Sequence, residues 1–149
     1  MFVVIAGAGR VGSSVARELL VAGHQVSCLD EDPDALARLE VGLDTGWEDA
    51  GGTFTVGTAL EDDAMREAGI ERADVFVAAT NGDNTNIVVA QIVSKRFEVP
   101  KVVARILDPL RAQWYATQGM ETICPTQVAI DMLGDTIRDY AAVSGESPA

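Results

Sequence analysis

Short apolar runs alternate along the chain with longer segments in which apolar residues recur every three or four positions, the patterns of buried strands and amphipathic helices respectively. Phe2–Ala6 is rich in β-branched residues and ends at glycine, which reads as a strand buried on both faces of a parallel sheet. Val11, Val15 and Leu19, with Ala16 and Leu20 beside them, then place one apolar stripe on a helix that stops near Gly23. Gln25–Asp30 is the second expected strand. A helix starting at Pro33 and running to about Glu40 follows, then a Gly- and Asp-rich loop and a third strand, Thr53–Val56. The same spacing predicts helices over 61–67, 84–97, 109–117 and 126–142, with strands over 74–79, 101–106 and 121–124. Strands alternating with helices in this way predict an α/β, Rossmann-type doubly wound parallel sheet of order 3-2-1-4-5-6.

The 149 residues suffice for one domain and leave no room for a second. Residues 1–143 are assigned to it, and the small polar segment 144–149 reads as a flexible tail or the start of a linker. Lys and Arg total 11 against 23 Asp and Glu, a formal charge of −12, which opposes nucleic acid or an anionic membrane surface as a partner. No apolar run approaches the roughly 20 residues of a membrane span, so direct membrane insertion is not expected and a cytoplasmic location is. Cys28 and Cys124 lie in apolar, strand-like runs and are expected to be buried small hydrophobes.

The chemistry concentrates in Gly7-Ala8-Gly9-Arg10-Val11-Gly12. The motif leaves the first expected strand and opens a helix, so backbone N–H groups and the positive helix terminus converge where a pyrophosphate would sit. Gly7 permits the tight turn, Gly9 admits phosphate to the backbone, and Gly12 allows close helix–strand packing. Asp30, 18 residues after Gly12 at the end of the second strand, is placed to accept from both ribose hydroxyls of an adenosine. With Glu31 and Asp32 following, a 2′-phosphate would meet like charge. The alternative is that this acidic run caps the second helix. Arg10 either reaches a terminal phosphate or is solvated at the helix N-terminus, where the macrodipole disfavours a cation.

These residues resemble the nucleotide-binding regulatory domain of Trk and Ktr potassium-uptake systems, called TrkA-N, KTN or RCK. The resemblance rests on the glycine turn with its arginine and Asp30, on Ala78-Ala79-Thr80-Asn81-Gly82-Asp83-Asn84-Thr85-Asn86 after the fourth strand, on Val103-Ala104-Arg105-Ile106 in the fifth, and on the stretch from Gly119 to Pro125. It implies a homodimer building a higher oligomer, binding NAD(H), ATP or ADP, with AMP admitted, and gating a membrane-embedded potassium transporter or channel subunit at the inner face of the membrane, without catalysis. The implied contacts beyond the glycine turn, Asp30 and Glu31 are Thr58 and Ala59, then Ala79, Thr80, Asn81 and Asn84, and lastly Arg105, set either for a phosphate or for an ion pair. Asp83 is a candidate cap of the fourth helix. Gly57-Thr58 departs from the family's Gly-Asp, which leaves adenine recognition there open. The segment 42–52 is longer than the family's usual connection, and its Trp47 either covers the nucleotide or packs on the fold. The small C-terminal domain of full-length members has no counterpart in these 149 residues.

Two ligands that differ in terminal groups would then favour different dimer packings, with the glycine turn and Arg10 reading phosphate number. The stripe Ile130, Leu133, Ile137 and Tyr140 on the last helix is the candidate subunit interface, core packing being the alternative. The rival reading is an NAD-dependent oxidoreductase. It needs a substrate domain and a proton-transfer group, whereas the one histidine, His24, falls in the turn before the second strand. A redox-state repressor would need a basic DNA-binding segment, and none is evident.

Overall fold

The computed structural model describes residues 1–146. Its strands are β1 (Phe2–Ala6), β2 (Gln25–Asp30), β3 (Thr53–Val56), β4 (Val75–Ala78), β5 (Lys101–Arg105) and β6 (Glu121–Ile123). The helices are α1 (Arg10–Val21), α2 (Ala35–Glu40), α3 (Asp62–Glu67), α4 (Asp83–Ile92), α5 (Pro109–Thr117) and α6 (Pro125–Ser144). All strand pairs are parallel and the order is β3-β2-β1-β4-β5-β6, the order expected from the alternation.

β1 explains why its residues are uninterruptedly apolar. Val4 and Ala6 enter one core with Met65, Phe76 and Ile87, while Val3 and Ile5 enter a second core with Val26, Leu39 and Trp47. A strand covered on both faces has no polar position to spare. Ala6 pairs with Leu29 on one side and Ala78 on the other, so β1, β2 and β4 end at one edge and their following turns meet there. The strand order also reverses at β1, which opens a crevice at that edge.

Several boundaries differ from the periodicity. The second helix begins at Ala35, because the Asp32 carbonyl accepts from the Ala35 N–H and holds Pro33 in a turn ahead of it. The long fourth helix changes pitch: after Ile92 it widens into a π turn, Val93–Phe97, and ends at Glu98 with φ 51°. α6 runs on to Ser144 and closes on Gly145, so Ser144 belongs to the helix instead of a tail. Residues 147–149 of that expected tail lie outside the described residues.

Trp47 is fully buried in the second core. Its backbone N–H donates to Glu40 Oε1 at 3.0 Å and its indole N–H to the Thr53 carbonyl at 3.0 Å. The long 42–52 connection therefore plugs the sheet, and Trp47 packs on the fold. Gly52 is tied to this packing, since a Cβ there would lie 2.2 Å from Trp47 Cε2. Cys28 is buried as expected, and burial, reinforced by the charge of Asp30, pushes its thiol up to about 12. Cys124 is only partly buried; it caps α6, its sulfur accepting from the Gln127 N–H at 3.4 Å.

Gly52→Ala should lower stability by about 1–3 kcal/mol through overpacking against Trp47, read as a shift in the urea midpoint at unchanged m-value; an unshifted midpoint would mean that the 42–52 segment moves aside freely. Cys28 should resist alkylation at pH 8 in the folded protein and react once the chain is unfolded. Because folding holds the Cys28 proton up to about pH 12, the unfolded chain releases it first, and stability should fall as pH rises above the ordinary thiol range.

Candidate functional site

Two of the three glycines in the first turn are required by the backbone around them. Gly7 has φ 97°, and a Cβ on it would sit 2.7 Å from the Ala79 carbonyl carbon and oxygen. A Cβ on Gly12 would overlap the Gly7 carbonyl oxygen at 1.8 Å. α1 can thus lie against the end of β1 only because both side chains are missing. At Gly9 a Cβ would meet nothing within 4 Å; this residue borders the cleft, leaving its backbone open to an approaching group.

Gly9 is also the N-cap of α1, and no side chain caps the helix. The first-turn N–H groups of a helix have no partner within it, and they carry the positive end of the macrodipole. They are therefore open to an anion.

The cleft beside them has a volume of about 420 Å³. Gly7, Gly9, Asp30 and Glu31 line one side, Thr58 and Ala59 another, and Ala79, Thr80 and Asn81 a third. Ala8, Arg10, Val11, Gly12, Asn84 and Arg105 stand outside these walls. Ala8 is buried beneath the turn, while Arg10 is exposed where α1 begins. A more voluminous groove of about 600 Å³ lies at the opposite sheet edge, bordered by Lys101 and Glu121 at the starts of β5 and β6. It has neither the glycine turn nor an uncapped helix start, so chemistry selects the first cleft over volume. His24 precedes β2 and lies at that opposite edge too.

Asp30 lines the cleft and organises it. Its Oδ2 accepts from the Ala8 N–H at 2.7 Å and its Oδ1 from the Asp32 N–H at 2.9 Å. The carboxylate thereby fixes the turns after both β1 and β2 and still has lone pairs for hydroxyl donors. Asp32 contributes to the entry of α2, its Oδ1 accepting from the Asp34 N–H at 2.9 Å.

The turn after β4 is organised by a residue that periodicity reads only as helical. Asn86 is 1% exposed, with its Oδ1 accepting from the Thr80 N–H at 2.9 Å and the Thr80 hydroxyl at 2.6 Å. Its Nδ2 donates to the carbonyls of Thr80 at 3.0 Å and Arg105 at 2.8 Å. Thr80 is thus fixed in the cleft wall, whereas Asn81 is exposed at the rim.

Asp83 does not cap α4. Its two oxygens accept from the N–H groups of Leu107 at 2.8 Å and Asp108 at 3.1 Å, tying α4 to the loop after β5. Asn84 accepts from Arg111 at 2.6 Å on the exterior. Arg105 donates to the Thr80 carbonyl at 2.7 Å, and no carboxylate pairs with it among the described residues. Arg38, unremarked in the sequence beyond its helical position, enters the cleft from α2, its Nε donating to the Ala8 carbonyl at 2.7 Å. Only the ladder β1–β2 brings it there, and no local motif signals it.

Asn86→Ala should strip partners from buried backbone groups of Thr80 and Arg105 and cost about 3 kcal/mol, measured by chemical denaturation. A loss below about 1 kcal/mol would mean that water replaces the amide.

Comparison with known proteins agrees with this architecture. The chain is 39% identical over 133 residues to the Trk system potassium uptake protein TrkA of Streptomyces coelicolor, covering 89% of this chain and 56% of that protein. It is 32% identical over 134 residues to a TrkA homolog of Methanothermobacter thermautotrophicus, covering 89% and 58%. The chain therefore spans just over half the length of these relatives. Among solved structures, the Kef CTD of Shewanella denitrificans in its AMP-bound form superposes with a TM-score of 0.75 at 26% identity, over 99% of this chain and 84% of that one. The GsuK channel bound to NAD gives 0.75 at 22% identity, over 95% and 24%, a likeness of fold. The model of the TrkA-N domain matches residues 3–125, and the chain belongs to that family.

Proposed function

We propose that this domain is a regulatory module that binds an adenine nucleotide, either NAD(H) or ATP/ADP with AMP also accommodated, and relays its occupancy to a membrane-embedded potassium transporter or channel subunit. The observation that carries the reading is one cleft bordered both by Gly9, the uncapped start of α1, and by the Asp30 carboxylate. Together these supply donors for a diphosphate and an acceptor for ribose hydroxyls. The names of the relatives, potassium uptake proteins, and the AMP- and NAD-bound states of similar folds support the ligand class and the partner.

No helix among the described residues is long and apolar enough to cross a membrane, which fits a cytoplasmic domain held at the membrane through its partner. A role without catalysis fits the cleft: the single histidine sits at the far edge of the sheet, away from any bound nicotinamide, which counts against the oxidoreductase alternative.

Relay requires ligands that bind two arrangements unequally. α6 is the natural moving contact. None of its residues is buried, and Ile130, Leu133, Ile137 and Tyr140 are each more than half exposed. The stripe is thus free of the domain's own core and available to a second copy in a homodimer that builds a larger assembly. Arg10, exposed beside the open amides, is placed to distinguish ligands by their phosphates, its own or those of a neighbouring subunit.

Calorimetric titration should detect NADH, NAD, ATP, ADP and AMP, with Asp30→Ala weakening all of them by roughly tenfold or more. Arg10→Ala should weaken ATP more than AMP; equal loss for every ligand would remove the phosphate-reading role. In sedimentation experiments Ile137→Asp should yield a folded monomer, and a folded, unchanged dimer would overturn the α6 interface.

A further inference from the structure

Among the described residues three carboxylates and a single cation border the cleft, the carboxylates at the end of β2 and just after it, the cation in the last turn of α2. Asp30, Glu31, Asp32 and Arg38 all line it, and Arg38 is the one cation among the described residues that do so. The guanidinium is held along two directions. Its Nε donates to the Ala8 carbonyl at 2.7 Å, directly under the glycine turn. Its Nη2 lies 3.6 Å from Asp32 Oδ2. The Arg38 carbonyl in turn accepts from Arg17 of α1, so the base of the side chain is anchored to the helix that the glycine turn opens.

A separation of 3.6 Å is a charge contact and not a hydrogen bond. Both side chains are substantially exposed, at 41% and 47%, so the pair contributes little to folding. Its consequence is electrostatic and local. An adenosine ribose seated on Asp30 would lie beside this group of charges, because all four residues line the same cleft. In dinucleotide sites an arginine there accommodates a 2′-phosphate, whereas a carboxylate favours a free hydroxyl. Both are present in this cleft, and Asp32 stands in charge contact with the arginine.

Resting on the nucleotide reading above, we infer that Asp32 and Arg38 form a ribose-selectivity pair. Asp32 engages the outer edge of the guanidinium and withholds it from a 2′-phosphate, so the cleft selects nucleotides with a free 2′-hydroxyl. Arg38 simultaneously acts as a positioning residue, its Nε fixing the Ala8 peptide beneath the phosphate turn. The planar guanidinium suits this double task because it presents donors along separate edges, which a lysine ammonium does not.

The probes are 5′-AMP and adenosine 2′,5′-bisphosphate, which differ only at the 2′ position, titrated calorimetrically at one ionic strength. The wild-type domain should prefer 5′-AMP. Asp32→Asn should shift the ratio of affinities roughly tenfold toward the bisphosphate, and adding Arg38→Met should cancel that shift. Glu31→Gln, which removes a carboxylate of the same rim that has no contact with Arg38, should shift the ratio much less. The inference is overturned if Asp32→Asn leaves the ratio within about twofold, or if the shift persists without Arg38 or is matched by Glu31→Gln. In either case the nucleotide reading survives, because 5′-AMP still binds. A folded wild-type domain that binds neither probe at millimolar concentration would instead refute the nucleotide reading and this inference together.

Discussion

The N–H groups that open α1 cannot be satisfied inside the helix, and the fold brings them to the edge of the sheet without a capping side chain. Everything around the cleft follows from how closely α1 approaches β1. The Gly7 carbonyl lies where a Gly12 side chain would be, and the β4 turn lies where a Gly7 side chain would be. With both positions stripped to hydrogen, helix, strand and neighbouring turn pack at backbone distance. Gly9, where the helix starts, then borders the crevice. Gly9 leaves the remaining space for whatever the α1 amides bind.

Charge around the crevice is arranged on the same principle of shared tasks. A chain with a formal charge of −12 places carboxylates beside an uncapped helix start. Asp30 has two tasks, since it orients the turns after β1 and β2 through backbone N–H groups while facing the cleft. Asp83 spends its oxygens on the loop after β5, and Asp32 supports the entry to α2 and meets Arg38. Of the carboxylates that line the cleft, Asp30 and Asp32 are thus held by structural contacts. Positive potential at this rim comes from the uncapped helix terminus, with Arg10 exposed where α1 begins.

α6 obeys a different constraint. β6 closes the sheet, and the helix that follows covers none of it; its apolar side chains remain exposed. This chain spans just over half the length of its Streptomyces and Methanothermobacter relatives.

The sequence alone determined what local spacing can encode. Strand and helix periods led to the strand order, because right-handed crossovers leave few topologies; the glycine spacing located the turn that borders the cleft, and the position of Asp30 after it placed the acidic group in the cleft wall. What only the tertiary structure decided depends on strand ends becoming neighbours. Arg38 reaches Ala8 across 30 positions, Asn86 reaches Arg105 across 19 and Asp83 reaches Leu107 across 24. In sequence Arg38 is indistinguishable from a solvated helical residue, and although Asp83 and Asn86 fall in the motif after the fourth strand, nothing there names Leu107 or Arg105 as their partners. Trp47 illustrates the same limit, since its burial depends on a Gly52 backbone that passes against its ring. Periodicity reports which face of an element is apolar; which side chains from different elements share a crevice is set by the parallel register that aligns the ends of β1, β2 and β4.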